Sequence, residues 1–291
     1  MSTFLPGIAA ALASALMWGG ADFAGGVSAQ KNNPYQVLVV AGIGGVALLL
    51  PLALVMREPL PGMSSLMWSS LAGIAGAIGT STLYRALAQG SAASVSPSAA
   101  VIGVALPVLL SAWLEGMPGP TKLVGITLGV LGIWLVSARQ SEQIEQAGPR
   151  EAMIAPIHLR GDFRLALLAG VGFAGFFICM GQVPEGALFY PSAVAKSISV
   201  LVAVAILLAG RRTVWVGANR LALSVGIMDV SGNVGYLIAR HMTRMDVAVV
   251  LASMYPAVTV VLARLIQRQS VSWKQWVGVI ICMVGVAMIA I

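Results

Sequence analysis

Displaced by 153 residues, this sequence falls onto itself. Leu12, Gly19, Ala21 and Phe23 meet Leu165, Gly172, Ala174 and Phe176. Gly73, Ile74 and Gly79 meet Gly226, Ile227 and Gly232, and Ala86, Ala99, Gly125 and Gly132 meet Ala239, Ala252, Gly278 and Gly285. Single identities at Gly or Ala carry little weight in such a chain, but one offset held from the first apolar tract to the last does. Each copy contains five tracts. An odd number of crossings turns the second copy upside down, so the pattern predicts an all-α integral membrane protein of ten transmembrane helices arranged as two inverted five-helix repeats, a common framework of secondary transporters.

With 58% apolar and 9% charged residues, the chain departs from a water-soluble domain, which carries roughly 25% charge. A membrane-spanning helix needs about 20 mostly apolar residues. Ten tracts meet that need, near 6–27, 35–56, 67–88, 92–114, 121–138, 163–183, 188–209, 221–240, 246–267 and 273–291. The first has no basic leader and no small-residue cleavage site after Trp18, and it has a partner in the second copy, so it reads as helix one rather than a signal peptide. The connections are short except for a polar stretch around 139–162, expected to be a cytoplasmic linker.

The net charge of +7 is spread over connections rather than gathered on one face, which speaks for membrane topology and against nucleic acid. Lys and Arg divide eleven to four in favour of the side holding connections 1–2, 5–6, 7–8 and 9–10. This places the central linker in the cytoplasm and both termini outside the cytoplasm. Cys179 and Cys282 lie inside apolar tracts and act as small membrane residues. His158 and His241 stand apart, so no metal site is expected, and no phosphate-cradling GxxxxGK[ST] loop or Ser/His/Asp set is present to support a cofactor or catalysis.

A Trp18-Gly19 with Asp22-Phe23 opens the chain, Ala86 and Gly90 precede a Ser-rich fourth tract, and Tyr255-Pro256-Ala257-Val258-Thr259 lies in the ninth. Gly125 and Gly278 open the last tract of each half. With the ten-helix repeat, these features resemble the EamA-type transporters of the drug/metabolite transporter (DMT) superfamily over nearly the whole chain. The resemblance implies one EamA-like repeat over 1–139, a linker over 140–162 and a second repeat over 163–291. It also implies metabolite efflux or exchange of amino acids or drugs across the inner (plasma) membrane, without enzymatic activity. The family often carries Glu-Arg after the fourth helix of each half. Here the first copy has Glu115-Gly116, and the equivalent of Glu115 in the second is Arg268.

Charges at mid-bilayer cost about 2.5–3.5 kcal/mol on insertion scales. Asp229 falls near the middle of its tract, with Asn233 and Tyr236 on the same helix face. The stripe reads either as a cavity-facing site for a proton or substrate amine, or as a satisfied helix–helix contact. Asp22 and Trp18 share a face of helix one, as a cavity mouth with a cation–π wall or as an interfacial carboxylate with an aromatic anchor. The stem of Lys196 reaches the outer interface, which is the expectation adopted; pairing with Asp229 or Asp22 is the alternative. Arg85 is expected to snorkel, and Glu115 to be a helix-end loop charge. Thr80, Ser81 and Tyr84 place polarity at the same depth in the first half. Pro97 and Pro107 in helix four, and Pro256 in helix nine, interrupt backbone hydrogen bonding and mark cavity-lining or gating helices. Gly125 and Gly129 form a GxxxG face, available to helix ten or to a second copy in a homodimer.

These readings converge on a secondary transporter of a small organic solute, an exporter driven by proton exchange or by the solute's own gradient, working by alternating access around Asp229, Asn233, Tyr236, Tyr84 and Asp22. Uptake of a sugar or other neutral metabolite is the alternative within the class. Outside it stands a membrane enzyme or sensor, which would gather its catalytic groups near an interface rather than at the midplane.

Overall fold

The computed structural model describes residues 4–29, 32–88, 92–137, 155–214, 220–267 and 273–290. Every regular element among them is an α-helix: α1 (Phe4–Ala29), α2 (Pro34–Val55), α3 (Met63–Ala88), α4 (Ala92–Leu114), α5 (Pro120–Ser137), α6 (Ala155–Gly181), α7 (Phe189–Ala209), α8 (Arg220–Met242), α9 (Met245–Ala252), α10 (Tyr255–Gln267) and α11 (Trp273–Ala290). The ninth expected tract is thus one span in two pieces, α9 and α10. Four of the described helices, α1, α2, α7 and α8, are long and apolar enough to cross a membrane. α6 begins at Ala155, earlier than expected, and 140–154 of the expected linker lie outside the described residues.

Burial follows the logic of a lipid solvent. Large apolar side chains such as Leu109, Trp113, Leu201 and Met283 point outward, while small ones such as Ala11, Ser14, Ala72, Ser69, Ala169 and Ala222 are buried. Where the surroundings are as apolar as Leu, burying Leu gains little, and small residues let backbones approach closely enough for dispersion and hydrogen bonds to hold the bundle.

The contacts between the first five helices and the rest come in pairs. α1 packs on α8 as α3 packs on α6, α4 lies on α6 as α9 and α10 lie on α1, and α3 meets α7 as α8 meets α2. The remaining major contacts, α2 with α7 and α5 with α11, join like elements of the two halves. Glycines permit the tightest of these crossings. A Cβ at Gly226 would overlap the Ala41 carbonyl oxygen, and one at Gly73 would press on the Ala195 carbonyl oxygen.

Helix ends repeat too. After α2, the Arg57 and Glu58 amides donate to the Leu54 and Ala53 carbonyls; after α7, the Arg211 and Arg212 amides donate to Leu208 and Leu207. Arg57 and Arg211 both adopt left-handed backbone, at φ 52° and 51°, as a Schellman-type ending requires. The GxxxG face at Gly125 and Gly129 is filled from within the chain: Gly125 meets Gly285 and Ile289 of α11, and Gly129 meets Val250 and Met254. That surface is therefore occupied by the same chain's own helices.

Candidate functional site

Trp18 is the joint from which the site is built. Its indole N–H donates to the Asp229 carbonyl oxygen at 3.1 Å and the Asn233 side-chain oxygen at 3.2 Å, tying α1 to α8. One turn earlier, the Ser14 hydroxyl donates to the Gly232 carbonyl at 2.7 Å. Phe176, Phe177, Tyr236 and Tyr255 surround the indole, with ring centroids 5.6–6.3 Å away. Edge-on and offset contacts of this kind add to the burial of each ring.

Beside this joint lies a cavity of about 180 Å³, walled by α1, α2, α3, α6, α7, α8 and the start of α10. Its polar lining comprises Asp22, Thr80, Ser81, Lys196, Ser199, Asp229, Asn233 and Tyr255, and its rings are Trp18, Phe173, Phe176, Phe177 and Tyr255. Lys196 Nζ and Asp229 Oδ2 form an ion pair across the α7–α8 side of this space. The Lys196 stem therefore turns inward, correcting the expectation that it snorkels: a carboxylate within reach offers the ammonium a partner that lipid does not. Asp22 is exposed to the cavity, and no ion pair among the described residues involves it.

The break between α9 and α10 brings Tyr255 to the cavity. α9 closes with the Ser253 and Met254 amides donating back to Val249 and Leu251, and the Ala257 amide donates to Met254. Pro256 has no amide to offer at this point, so a continuous helix would lack a bond there. Below the break, the Thr259 hydroxyl donates to both the Tyr255 and Gly19 carbonyls at 3.1 Å.

A family model described as the EamA-like transporter family matches residues 5–138 and 163–291. The chain belongs to the EamA-like transporter family. It is accordingly a multi-pass membrane protein, a transporter of small solutes of the drug/metabolite type. No curated protein matches it. One solved crystal structure of a protein, 20% identical, aligns over 99% of this chain and 96% of its own with a TM-score of 0.69; at that identity the likeness is one of fold.

In this EamA chain Trp18, Asp22, Asp229 and Asn233 meet at one cavity, while Tyr236 does not line it. Tyr236 is fully buried, and its hydroxyl donates to the Phe177 carbonyl at 2.8 Å, behind Trp18. It shares the stripe of Asp229 and Asn233, but the stripe turns from cavity to core within two turns. Tyr236→Phe is expected to lower stability by about 1–2 kcal/mol, because a buried carbonyl loses its partner, with little change in ligand affinity; thermal unfolding and binding on one preparation check both. The side chains of Tyr84, Arg85, Pro97 and Pro256 lie outside the described residues, as does Arg268. α4 runs as one helix through Pro97 and Pro107, and Pro107 is buried.

Glu115 is more than the loop charge the sequence suggested. It accepts from Arg240 at 2.9 Å, lies 4.0 Å from Arg244, and accepts from the Ser111 hydroxyl at 3.1 Å. Its counterparts sit far off in sequence, so only the fold reveals them. Phe173, Phe176 and Phe177 of α6 also line the cavity, where the sequence marked Phe176 only as a repeat partner; three rings within two turns of a glycine-bearing tract are the available signal. At the repeat offset, the counterparts of Asp22 and Asp229 are Gly175 and Gly76, and Gly76 lines the cavity wall.

Proposed function

We propose that this protein is a secondary transporter that exports a small amine-bearing organic solute in exchange for protons, working by alternating access between two inverted five-helix repeats. The observation that carries this reading is Asp22: a carboxylate facing a membrane-embedded cavity, flanked by aromatic rings, without an ionic partner among the described residues. A carboxylate in such surroundings gains from holding a cation, and the available cations are a proton and a substrate ammonium. If one excludes the other, binding a substrate releases a proton, and the two gradients are coupled. The rings of Trp18 and Tyr255 would bear on the ammonium from the side.

Lys196 and Asp229 neutralise each other and can separate to meet the rest of the solute, the lysine taking an acidic or carbonyl group. The paired cross-half contacts and the twin helix endings support the repeat reading, and the excess of basic residues on one side supports termini outside the cytoplasm. No catalytic role is assigned to any residue.

The test is proton release in weakly buffered detergent solution as amines, amino acids and sugars are added to wild type and Asp22→Asn. The expected result is release from wild type with an amine-bearing solute, and about a 10-fold or greater loss of affinity without proton release in the variant. A sugar that binds both proteins equally, with no proton movement, would replace this reading with a neutral-solute permease.

A further inference from the structure

Among the described residues, charged contacts between the halves gather at one end of the bundle. At one end, two carboxylates of the first half reach into the second. Glu58, just after α2, accepts the backbone amides of Leu188, Phe189 and Tyr190 at 3.1, 2.7 and 3.1 Å, capping the N-terminus of α7. Glu115, at the end of α4, holds Arg240 at 2.9 Å and also accepts the Met245 amide that opens α9 at 3.3 Å. Around it, Arg244 donates to the Glu115 carbonyl at 2.9 Å and pairs with buried Asp246 at 3.0 Å, while the Asp246 amide donates to the Ser111 hydroxyl. Anions at helix N-termini and charge-assisted hydrogen bonds are the stronger members of their kinds.

The same end is sealed beneath these groups. His241 lies 3.2 Å from the Val183 carbonyl, and Phe177, Met180 and Tyr236 are buried between them and Trp18. The cavity lies on the other side of this plug. Its outlying members, Asp22, Leu38, Ser81 and Ala203, sit toward the opposite end of their helices. There, Gln36 donates to the Thr213 carbonyl and hydroxyl, at exposed positions, and Ser28, Leu221 and Ala222 are engaged as well.

We infer that Glu58 and Glu115 are the clasps of a gate: they hold the two halves shut at the end where α2 meets α3 and α4 meets α5, and must release for the cavity to open there. The inference rests on the alternating-access reading. By the positive-inside count this end faces away from the cytoplasm, so the structure is closed outward and its site is reached from within. Both carboxylates belong to the first half and all their cross-half partners to the second, so a rocking of one half against the other breaks them together. Neither touches the cavity, which makes them positioning residues rather than ligands.

The experiment is a pair of distance measurements between spin labels in the reconstituted protein, with Cys179 and Cys282 replaced by Ala. One pair, at Met117 and Glu185, spans the clasped end at exposed positions; the other, at Asn32 and Arg212, spans the opposite end. In the Glu58→Gln, Glu115→Gln double variant, the first pair is expected to gain a longer distance, its population rising about 10-fold from a minor state, while the second shortens. Unchanged distances with a lower unfolding temperature would show plain helix caps and overturn the proposal. So would broadening at both ends without a new distance. Glu115→Gln alone, which leaves the α7 cap intact, keeps the test open if the double variant does not fold. Because the measurement needs no substrate, a wrong assignment of the solute leaves it standing. Unchanged distances alongside intact transport would remove the clasp and leave the transporter.

Discussion

Lys196→Met is expected to destabilise the protein by about 3 kcal/mol and to abolish transport. The variant keeps the apolar stem but leaves Asp229 charged and alone beside it. Breaking a buried ion pair from one side costs roughly 3–5 kcal/mol, because the remaining charge stays desolvated. The lower end applies here because the Asp229 side chain is 29% exposed to the cavity, so water reaches part of it. Asp229→Asn should behave alike, with Lys196 as the stranded charge. The double variant Lys196→Met, Asp229→Asn removes both charges and is expected to recover stability to within about 1 kcal/mol of wild type, since a buried pair contributes little net stability. It should still fail to transport. Chemical unfolding in detergent and flux into proteoliposomes read the two effects separately. A double variant that carries solute at the wild-type rate would reduce the pair to a structural contact.

Gly226→Ala is expected to leave little folded protein at all. The added methyl would occupy the space of the Ala41 carbonyl oxygen on α2, and neither backbone can move aside while α8 remains pinned to α1 by Ser14 and Trp18. Overpacking in a core usually costs about 1–3 kcal/mol. A clash between two backbones has no rotamer to relieve it, so the loss should exceed about 4 kcal/mol, the exceptional class. Gly62→Ala, where a Cβ meets nothing within 4 Å, is the control and should stay within about 0.5 kcal/mol of wild type. The fraction eluting as a single folded species, compared between the two, gives the answer.

Helix positions were legible in the sequence because hydrocarbon thickness fixes their length. The α4 ends at 92 and 114 match the apolar tract, and α7 and α11 begin within a residue or two of expectation. The break in the ninth span was foreshadowed by Pro256, since a missing amide is a property of one residue. What the sequence withheld was partnership. Whether Lys196 turns inward or outward depends on which helix lies beside it, and the stem is long enough for either. Tyr236 lies on the same stripe as Asp229, yet one faces a cavity and the other a core, because Phe177 of α6 packs against the Tyr236 ring and its carbonyl accepts the Tyr236 hydroxyl's hydrogen bond. Glu115 reads as a helix-end loop charge until the fold sets the start of α9 against it, and nothing local marks Glu58 as the cap of α7. Such contacts bridge more than a hundred residues of chain, and no local pattern encodes them.

Helix contacts come in matching pairs across the scaffold, but its charges do not. Asp22 and Asp229 are carboxylates where the matching positions, Gly175 and Gly76, have no side chain at all. The chamber is thus electrically lopsided. A solute with an ammonium at one tip and a different group at the other has a single way to lie in it. Passengers of this kind would therefore enter tail or head first according to the membrane face they come from, and leave on the far side with that same end leading.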